Sequence, residues 1–445
     1  MVASFVQHGT ELSNKFPKSV TRLPRATSSN KKPATAPEPD RSAAAIIESV
    51  EQLDAFLADD PRKHVTPPRG LEQRFFDASP TLSRLRVITH FYGTLPARQR
   101  NPAHYQKPGG AKRALAYLKT YEQAFGHISR AHGGTLFSGG RVKRFLDMGC
   151  SPGGFSNWLL EHNWAATGVG MTLPDAQAQW KMITTGTHLE GPRYDLRFAD
   201  IVSVAMAAVD NDETPVIPPR HGSDGGGAAG FDLVVAGAFP SMDEGIHLTT
   251  RVQLALGQLL VLLHNLMPGG TAVVVLTTRV HRWVVEELAL LRRCFARVST
   301  GKGRDLHQER SSCYLVCTDF CATEESIAAY SNAIRDTLRH VKKTQAELDA
   351  GEDDQAWRKL LTLVEISGKT EEELFESERQ AVLDLFEPLW QEQYEAKYTK
   401  LVQFLSNAPY PDSDSPHKPR GRAFRGRGTT RTKRGAYGPH SSYQS

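Results

Sequence analysis

Apolar and polar positions change period repeatedly along the middle of the chain. Arg144 to Met148 is a short apolar run closing on Asp147 and predicts a buried parallel strand; Phe155, Trp158, Leu159 and Leu160 then recur at helical spacing. The same reading predicts further strands at Ala165–Val169, Tyr194–Asp200, Phe231–Ala236, Thr271–Thr277 after a Pro268-Gly269-Gly270 turn, and Cys313–Thr318. Thr249–Leu266 and Trp283–Phe295 carry helical periods. Strands alternating with helices predict an α/β fold built on a doubly wound parallel sheet.

Both flanks read as helical. Upstream, Ile46, Ile47, Val50, Leu53 and Phe56 follow a 3.6 period, as do Leu115, Leu118, Tyr121 and Phe125, while Pro67–Pro108 between them shows no clear order. Downstream, Glu324–Ser406 is charged and nearly glycine-free, with Leu360, Leu361, Val364, Leu374, Val382 and Leu383 at helical spacing, continued by Leu385, Phe386, Leu389 and Trp390. The expected organisation is a disordered basic segment over 1–43, a helical lead-in over 44–111, an α/β domain over 112–320 and a helical region over 321–406. A Pro- and Gly-rich insertion interrupts the domain at 210–230, and an Arg/Gly-rich disordered tail closes the chain at 407–445.

Composition changes this picture in four places. With 40% hydrophobic residues the 445-residue chain can bury an ordinary core, and no apolar run approaches 18 residues, so no membrane span is expected. Leu254–Met267, broken by Gln258, His264 and Asn265, reads instead as a core helix. Five cysteines form no C-x-x-C pair; Cys313 and Cys317 share a face of their strand, so buried thiols and no metal site are expected, in a reducing compartment. The first 43 residues lack the apolar stretch of a secretory signal, and their Lys and Arg excess fits a nuclear or cytoplasmic protein, or a mitochondrial one. From His417 onward eight Lys and Arg occur with no acid; removing those eight from the net +5 leaves the rest of the chain at −3. RGRG repeats among Phe424, Tyr437 and Tyr443 suit phosphate contact and base stacking, so RNA is the expected partner of the tail. The helical region after 321 is expected to pack on the sheet or to take a protein partner.

The chemistry concentrates where the first strand meets its helix. Gly149-Cys150-Ser151-Pro152-Gly153-Gly154 stands at that junction, where glycine permits close backbone approach and helix N–H groups face a ligand. The dinucleotide fingerprint G-x-G-x-x-G is not matched, which disfavours a nicotinamide oxidoreductase. The stretch resembles the D-x-G-x-x-P-G-G-[FW]-[ST] motif of FtsJ/RrmJ-type RNA 2′-O-methyltransferases, which use S-adenosylmethionine (SAM). The resemblance covers about residues 112–320 and implies a Rossmann-like sheet, with Asp147, Gly149, Ser151, Pro152, Gly153, Gly154 and Phe155 at the cofactor. It also implies Asp200 beside the adenine; the acid that would hold the ribose is missing from Val169–Thr172, with Asp175 the nearest substitute.

The family's catalytic Lys-Asp-Lys-Glu tetrad is matched poorly. Lys119 resembles the first lysine; Gly237 stands for the aspartate, with Asp243 and Glu244 beyond it. Val275 stands for the second lysine, with Arg279 the nearest cation, and Cys313 or its neighbour stands for the glutamate, after Lys302-Gly303-Arg304 and Arg310-Ser311-Ser312. Lys119 and Arg279 are the candidate catalytic residues. Two classes of function stay open: a SAM-dependent methyltransferase acting on RNA at a ribose 2′-hydroxyl, and a catalytically inactive SAM-binding or RNA-binding protein.

Overall fold

A computed structural model of the chain describes residues 47–94, 110–175, 177–178, 180–219, 230–239, 248–303, 306–350 and 365–406. The expected disordered segments at 1–43 and 407–445 lie outside the described residues, as do Asp243, Glu244, Arg304, Leu360, Leu361 and Val364.

Seven strands make one sheet: β1 (Arg144–Met148), β2 (Thr167–Thr172), β3 (Tyr194–Phe198), β4 (Phe231–Ala236), β5 (Leu266–Thr277), β6 (Phe295–Gly301) and β7 (Ser312–Phe320), in the order β3-β2-β1-β4-β5-β7-β6. β1 lies parallel between β2 and β4, with Leu146 opposite Val169 on one side and Val234 on the other. Strand order reverses at that pair, the topological switch point where doubly wound sheets bind ligands. The expected sheet is thus found, with corrections. The series is not parallel to its end: β7 runs antiparallel to both β5 and β6. β6 went unpredicted because Ala296 and Arg297 are exposed and Ser299–Gly301 are only partly buried, so it has no apolar run. β2 begins two residues late because Ala166 N–H closes a turn onto the Asn163 carbonyl (3.0 Å). β5 starts before its expected turn, absorbing Pro268–Gly270 through a register shift against β4, with Gly269 at φ +74°.

Helices α1 (Val50–Ala58), α2 (Leu71–Ala78) and α3 (Pro80–Thr94) form the lead-in, the last two ordering part of the stretch whose pattern was unclear. α4 (Gly110–Ala131) and α5 (Gly154–His162) pack together over the sheet, joining Phe125, Phe155 and Trp158 to Phe145, Tyr194 and Tyr314 in one aromatic-rich core. α6 (Ile201–Asp210), α7 (Leu248–Asn265), α8 (Arg282–Cys294), α9 (Glu324–Ala350) and α10 (Glu371–Ser406) complete the described elements. α7 is buried along most of its length, as expected for a core helix; among the described residues no helix is long and apolar enough to cross a membrane. α10 packs on α3, α2, α8 and β6, burying Leu374, Val382, Phe386, Leu389 and Trp390, whose indole N–H donates to the Thr278 carbonyl (2.9 Å). Most of the apolar face of α10 is therefore spent within the chain, on the antiparallel edge of the sheet and on the lead-in helices.

Cys313 and Cys317 are buried free thiols, and burial holds Cys313 near 12. Beside them, on α8, Glu287 is 2% exposed with one carboxylate oxygen lacking any hydrogen-bond partner, and burial raises its pKa to about 8 from 4.5. The raised folded-state pKa means that between about pH 4.5 and 8 the carboxyl takes up a proton on folding. Its stability cost is absent below pH 4.5, grows as pH rises and levels off above about 8. We expect Glu287→Met to stabilise the protein by roughly 3 kcal/mol near pH 7, a gain that fades towards pH 4.5. Urea unfolding across that range checks it; a gain independent of pH would show that Glu287 does not titrate there.

Candidate functional site

The β1–α5 turn is held by hydrogen bonds before any ligand is considered. The N–H groups of Gly149 and Cys150 both donate to the Met171 carbonyl of β2 (2.8 and 3.1 Å), and Gly237 N–H donates to the Met148 carbonyl (2.9 Å). These tie together the carboxyl ends of three adjacent strands. Asp147 is 2% exposed, and its carboxylate accepts both the hydroxyl (2.7 Å) and the backbone N–H of Ser156 in the first turn of α5. Tyr194 donates to the same hydroxyl (3.0 Å), completing a buried chain from β3 to β1. Burial lifts the Asp147 pKa to about 6, against the two Ser156 bonds, which favour the ionised form.

Three turn glycines serve intramolecular packing. A Cβ on Gly149 (φ +83°) would lie 2.3 Å from the Ala238 Cα, and one on Gly154 would lie 2.5 Å from the Leu118 carbonyl oxygen of α4. Gly153 (φ +112°) faces Leu189 and Met182, with a Cβ 2.5 Å from Leu189 Cδ1. Gly153 is not among the cavity-lining residues, and its positive φ lets the turn enter α5. Ser151 donates its hydroxyl to the Trp180 carbonyl, fastening the segment after β2 over the turn.

Over these strand ends opens a cavity of about 750 Å³, within the roughly 300–1,000 Å³ usual for small-molecule sites. Its floor is the turn: Asp147, Gly149, Ser151, Pro152, Gly154 and Phe155. On the β2–β3 side stand Met171, Thr172, Leu173, Asp200, Ile201 and Val202. The facing wall from α4 carries Arg113, Tyr117 and Tyr121, one helical turn apart, with the Arg113 guanidinium 4.7 Å above the Trp180 ring. The β4–β7 side carries Gly237, Phe239, Val275, His307, Arg310 and Tyr314. One end is thus apolar with an acid, and the other aromatic and basic.

The expected site residues divide. Six of the seven turn positions line the cavity together with Asp200, which is also the N-cap of α6, accepting the Val202 N–H (3.1 Å) and the Ser203 hydroxyl (2.8 Å). Asp175 is exposed, faces Lys181 at 3.9 Å and is not part of the lining. The two catalytic candidates are not brought in. Lys119 has 62% of its side chain exposed and pairs with Glu122 (2.8 Å), because Tyr117 and Tyr121 take the inward face of α4 and a residue two positions from each points away. Arg279 is exposed beyond the end of β5 and also lies outside the lining. Gly237 and Val275 do sit at the cavity, as the resemblance implied for those positions, and Cys313 faces away while its neighbours Ser312 and Tyr314 line it. Among the described residues, neither a lysine nor a glutamate lines the cavity, and no cluster of metal ligands occurs.

His307 carried no period or motif weight in the sequence, being in a loop, and Arg310 entered only as part of the stretch that resembles the last catalytic motif. They are set by Lys302, which is 3% exposed and donates to the carbonyls of His307 (3.2 Å), Arg310 (2.6 Å) and Ser312 (3.4 Å). Burial lowers the Lys302 pKa to about 8, and the resemblance of this stretch to a catalytic motif resolves here into a loop anchor.

A family model for FtsJ-like methyltransferases matches residues 113–320. No curated protein matches the sequence. Among solved structures, one from Plasmodium falciparum named as a ribosomal RNA methyltransferase is 16% identical, covering 45% of this chain and 97% of that one with a TM-score of 0.29. Human methyltransferase-like protein 13 in complex with SAH is 12% identical, covering 48% and 92% with a TM-score of 0.27. The fibrillarin pre-rRNA processing protein of Methanococcus jannaschii is 8% identical, covering 42% and 69%, also at 0.27.

The two cavity glycines separate backbone strain from available space. Gly149→Ala is expected to cost about 3 kcal/mol, through its positive φ and the clash with Ala238. At Gly237 the nearest atom to a Cβ is the Met148 carbonyl oxygen at 3.4 Å, so Gly237→Ala should stay within about 1 kcal/mol of the parent. Urea unfolding of both decides; equal losses would show that the two strand ends are not packed as described.

Proposed function

From a chain whose residues 113–320 form an FtsJ-like methyltransferase domain, we propose that the protein methylates RNA at a ribose 2′-hydroxyl. The observation that carries the reading is the cavity over the switch point, floored by the methyltransferase turn and basic at its far end. Bound there, SAM supplies a sulfonium-activated methyl group, which a hydroxyl oxygen takes with loss of its proton. The chain's own residues fit that donor in size and character. Met171, Leu173, Ile201 and Val202 offer apolar surface on the β2–β3 side for a nucleoside. Asp200 retains acceptor lone pairs there for an exocyclic amino group, since each of its oxygens accepts one bond within α6. The turn backbone and the first turn of α5 face the middle of the cavity.

At the β4–β7 side the residues hold an acceptor rather than strip its proton. Arginine does not act as a base at neutral pH, and burial with two nearby cations holds His307 near 3, so it is a weak base. Alignment of the hydroxyl supplies the acceleration in this reading, and the proton leaves to water. RNA as the acceptor is supported by the resemblance of the motif, by Arg113 and Arg310 at the cavity and by the eight cations of the tail.

The test is tritiated SAM with total RNA, followed by nuclease digestion and nucleoside analysis. Label is expected on 2′-O-methylnucleosides, and Lys119→Ala and Arg279→Ala should keep incorporation within about threefold of the parent, since neither side chain reaches the cavity. Label on a base moves the acceptor atom and overturns the ribose assignment. Absence of incorporation with SAM binding measured by titration would make this a non-catalytic SAM-binding protein.

The tail gives a separate prediction. Truncation near residue 415 should weaken RNA binding and flatten its salt dependence, by roughly 0.7 in log–log slope for each phosphate that the tail neutralises in the full-length protein. Equal slopes for full-length and truncated protein would remove the tail from the interface.

A further inference from the structure

The loop between β6 and β7 is anchored far more firmly than a surface connection requires. Inside, Lys302 uses its ammonium donors on the loop carbonyls of His307 and Arg310 and on that of Ser312 at the start of β7. Outside, the Glu309 carboxylate accepts the Tyr92 hydroxyl of α3 (2.8 Å) and pairs with Lys400 of α10, while the Gln393 side chain of α10 donates to the Glu309 carbonyl (3.2 Å). The appended helices therefore fix the same loop that presents His307 and Arg310 to the cavity.

His307 is 3% exposed and packs its ring against Tyr314, with Nε2 2.8 Å from the Tyr314 hydroxyl. Its other nitrogen, Nδ1, is buried with no hydrogen-bond partner. Burial keeps the imidazole neutral and the phenol protonated at ordinary pH, so one ring nitrogen carries a hydrogen. Were that nitrogen Nε2, the phenol hydrogen and the Nδ1 lone pair would both go unmet. With the phenol donating to Nε2, only Nδ1–H is left over, so this tautomer is favoured. Nδ1–H is then a buried donor lacking an acceptor, on a residue of the cavity wall. Arg310, three residues on, is exposed, lines the same wall and makes no side-chain hydrogen bond among the described residues. The guanidinium and the imidazole N–H of this wall are donors only, and their complement is an oxygen-rich anion.

Resting on the RNA reading above, we propose that His307 Nδ1–H and the Arg310 guanidinium form an anion subsite taking the phosphodiester next to the acceptor ribose. Its place follows from the sheet: Asp200 and the apolar nucleoside surface follow β2 and β3, whereas His307 and Arg310 precede β7, across the switch point from them. The subsite positions the acceptor without touching its proton. A SAM carboxylate has the same chemistry, and the test separates the two.

Full-length protein, Arg310→Ala, Arg310→Lys and His307→Phe are compared using a short RNA substrate, with SAM affinity measured by titration and folding checked by thermal melt. The expected result is a KM for RNA raised about tenfold or more in Arg310→Ala and His307→Phe, kcat within about threefold, partial recovery in Arg310→Lys and SAM affinity within twofold. An RNA with a neutral methylphosphonate beside the acceptor should bind the parent more weakly but lose nothing further in Arg310→Ala. Weakened SAM binding with unchanged RNA KM places the cofactor's carboxylate there and overturns the proposal, as does an unchanged KM in both variants. If the parent transfers no methyl at all, the catalytic reading fails on that control. Equilibrium RNA binding then judges the subsite: the log–log salt slope should fall by roughly 0.7 in Arg310→Ala, and an unchanged slope overturns it.

Discussion

The site depends on how closely β1 and β4 can approach as they leave the sheet. Gly149 stands so near Ala238 that no side chain fits between them, and its positive φ turns the chain out of β1 towards α5. Because the Gly149 and Cys150 N–H groups are taken by Met171, and Gly237 N–H by Met148, the ends of β2, β1 and β4 are locked in one rim. Those bonds satisfy backbone groups that would otherwise be stranded where the sheet stops. Everything placed on the rim inherits its rigidity: the turn below, Asp200 at one side, and the residues after β4 and before β7 at the other.

Buried polarity at the rim divides by purpose. Asp147, Ser156 and Tyr194 satisfy one another in a closed chain, which is what a low-dielectric interior demands of polar groups. Lys302 is closed too, with its donors on loop carbonyls. Nδ1 of His307 is the exception at the cavity, an imidazole nitrogen held in place by Tyr314 with its other edge unanswered. A polar atom left unsatisfied is costly unless something arrives to meet it. That asymmetry distinguishes the groups that build the site from those left available to a ligand.

Legibility in the sequence followed periodicity and failed where contacts are long-range. β1 and β4 were readable to the residue because a strand buried over nearly all its length is mostly apolar, and α7 within one residue because its helical period is strong. β6 was hidden by its exposed Ala296 and Arg297: a strand paired on one side only needs little apolar sequence of its own. The turn was recognisable as a site, yet what its glycines meet was not. Gly153 answers to Leu189, 36 positions on, and Gly149 to Ala238, neither of which a local pattern encodes. The orientation of Lys119 was not legible for a related reason: a motif fixes position along α4 but not the helical face, and Tyr117 and Tyr121 win the inward face by burying aromatic surface against Trp180 and Phe155. His307 was invisible because a single loop histidine acquires meaning only from Tyr314 and the cavity.

The helices outside the α/β domain acquire a role from the same geometry. α10 buries Leu374, Val382, Phe386, Leu389 and Trp390 on β6, α8 and the lead-in, and this packing carries its contact with Glu309. A loop bridging an antiparallel hairpin has few bonds of its own, and leaving it free would cost conformational entropy each time an acceptor had to be aligned. Tyr92, Gln393 and Lys400 meet that cost in the folding of the chain instead of at each binding event. A cavity with neither a lysine nor a glutamate among its described lining has little to gain from proton abstraction and much from fixed geometry. On the reading proposed above, the appended helices serve the site by holding rigid the loop that faces it, where the described rim offers neither a lysine nor a glutamate.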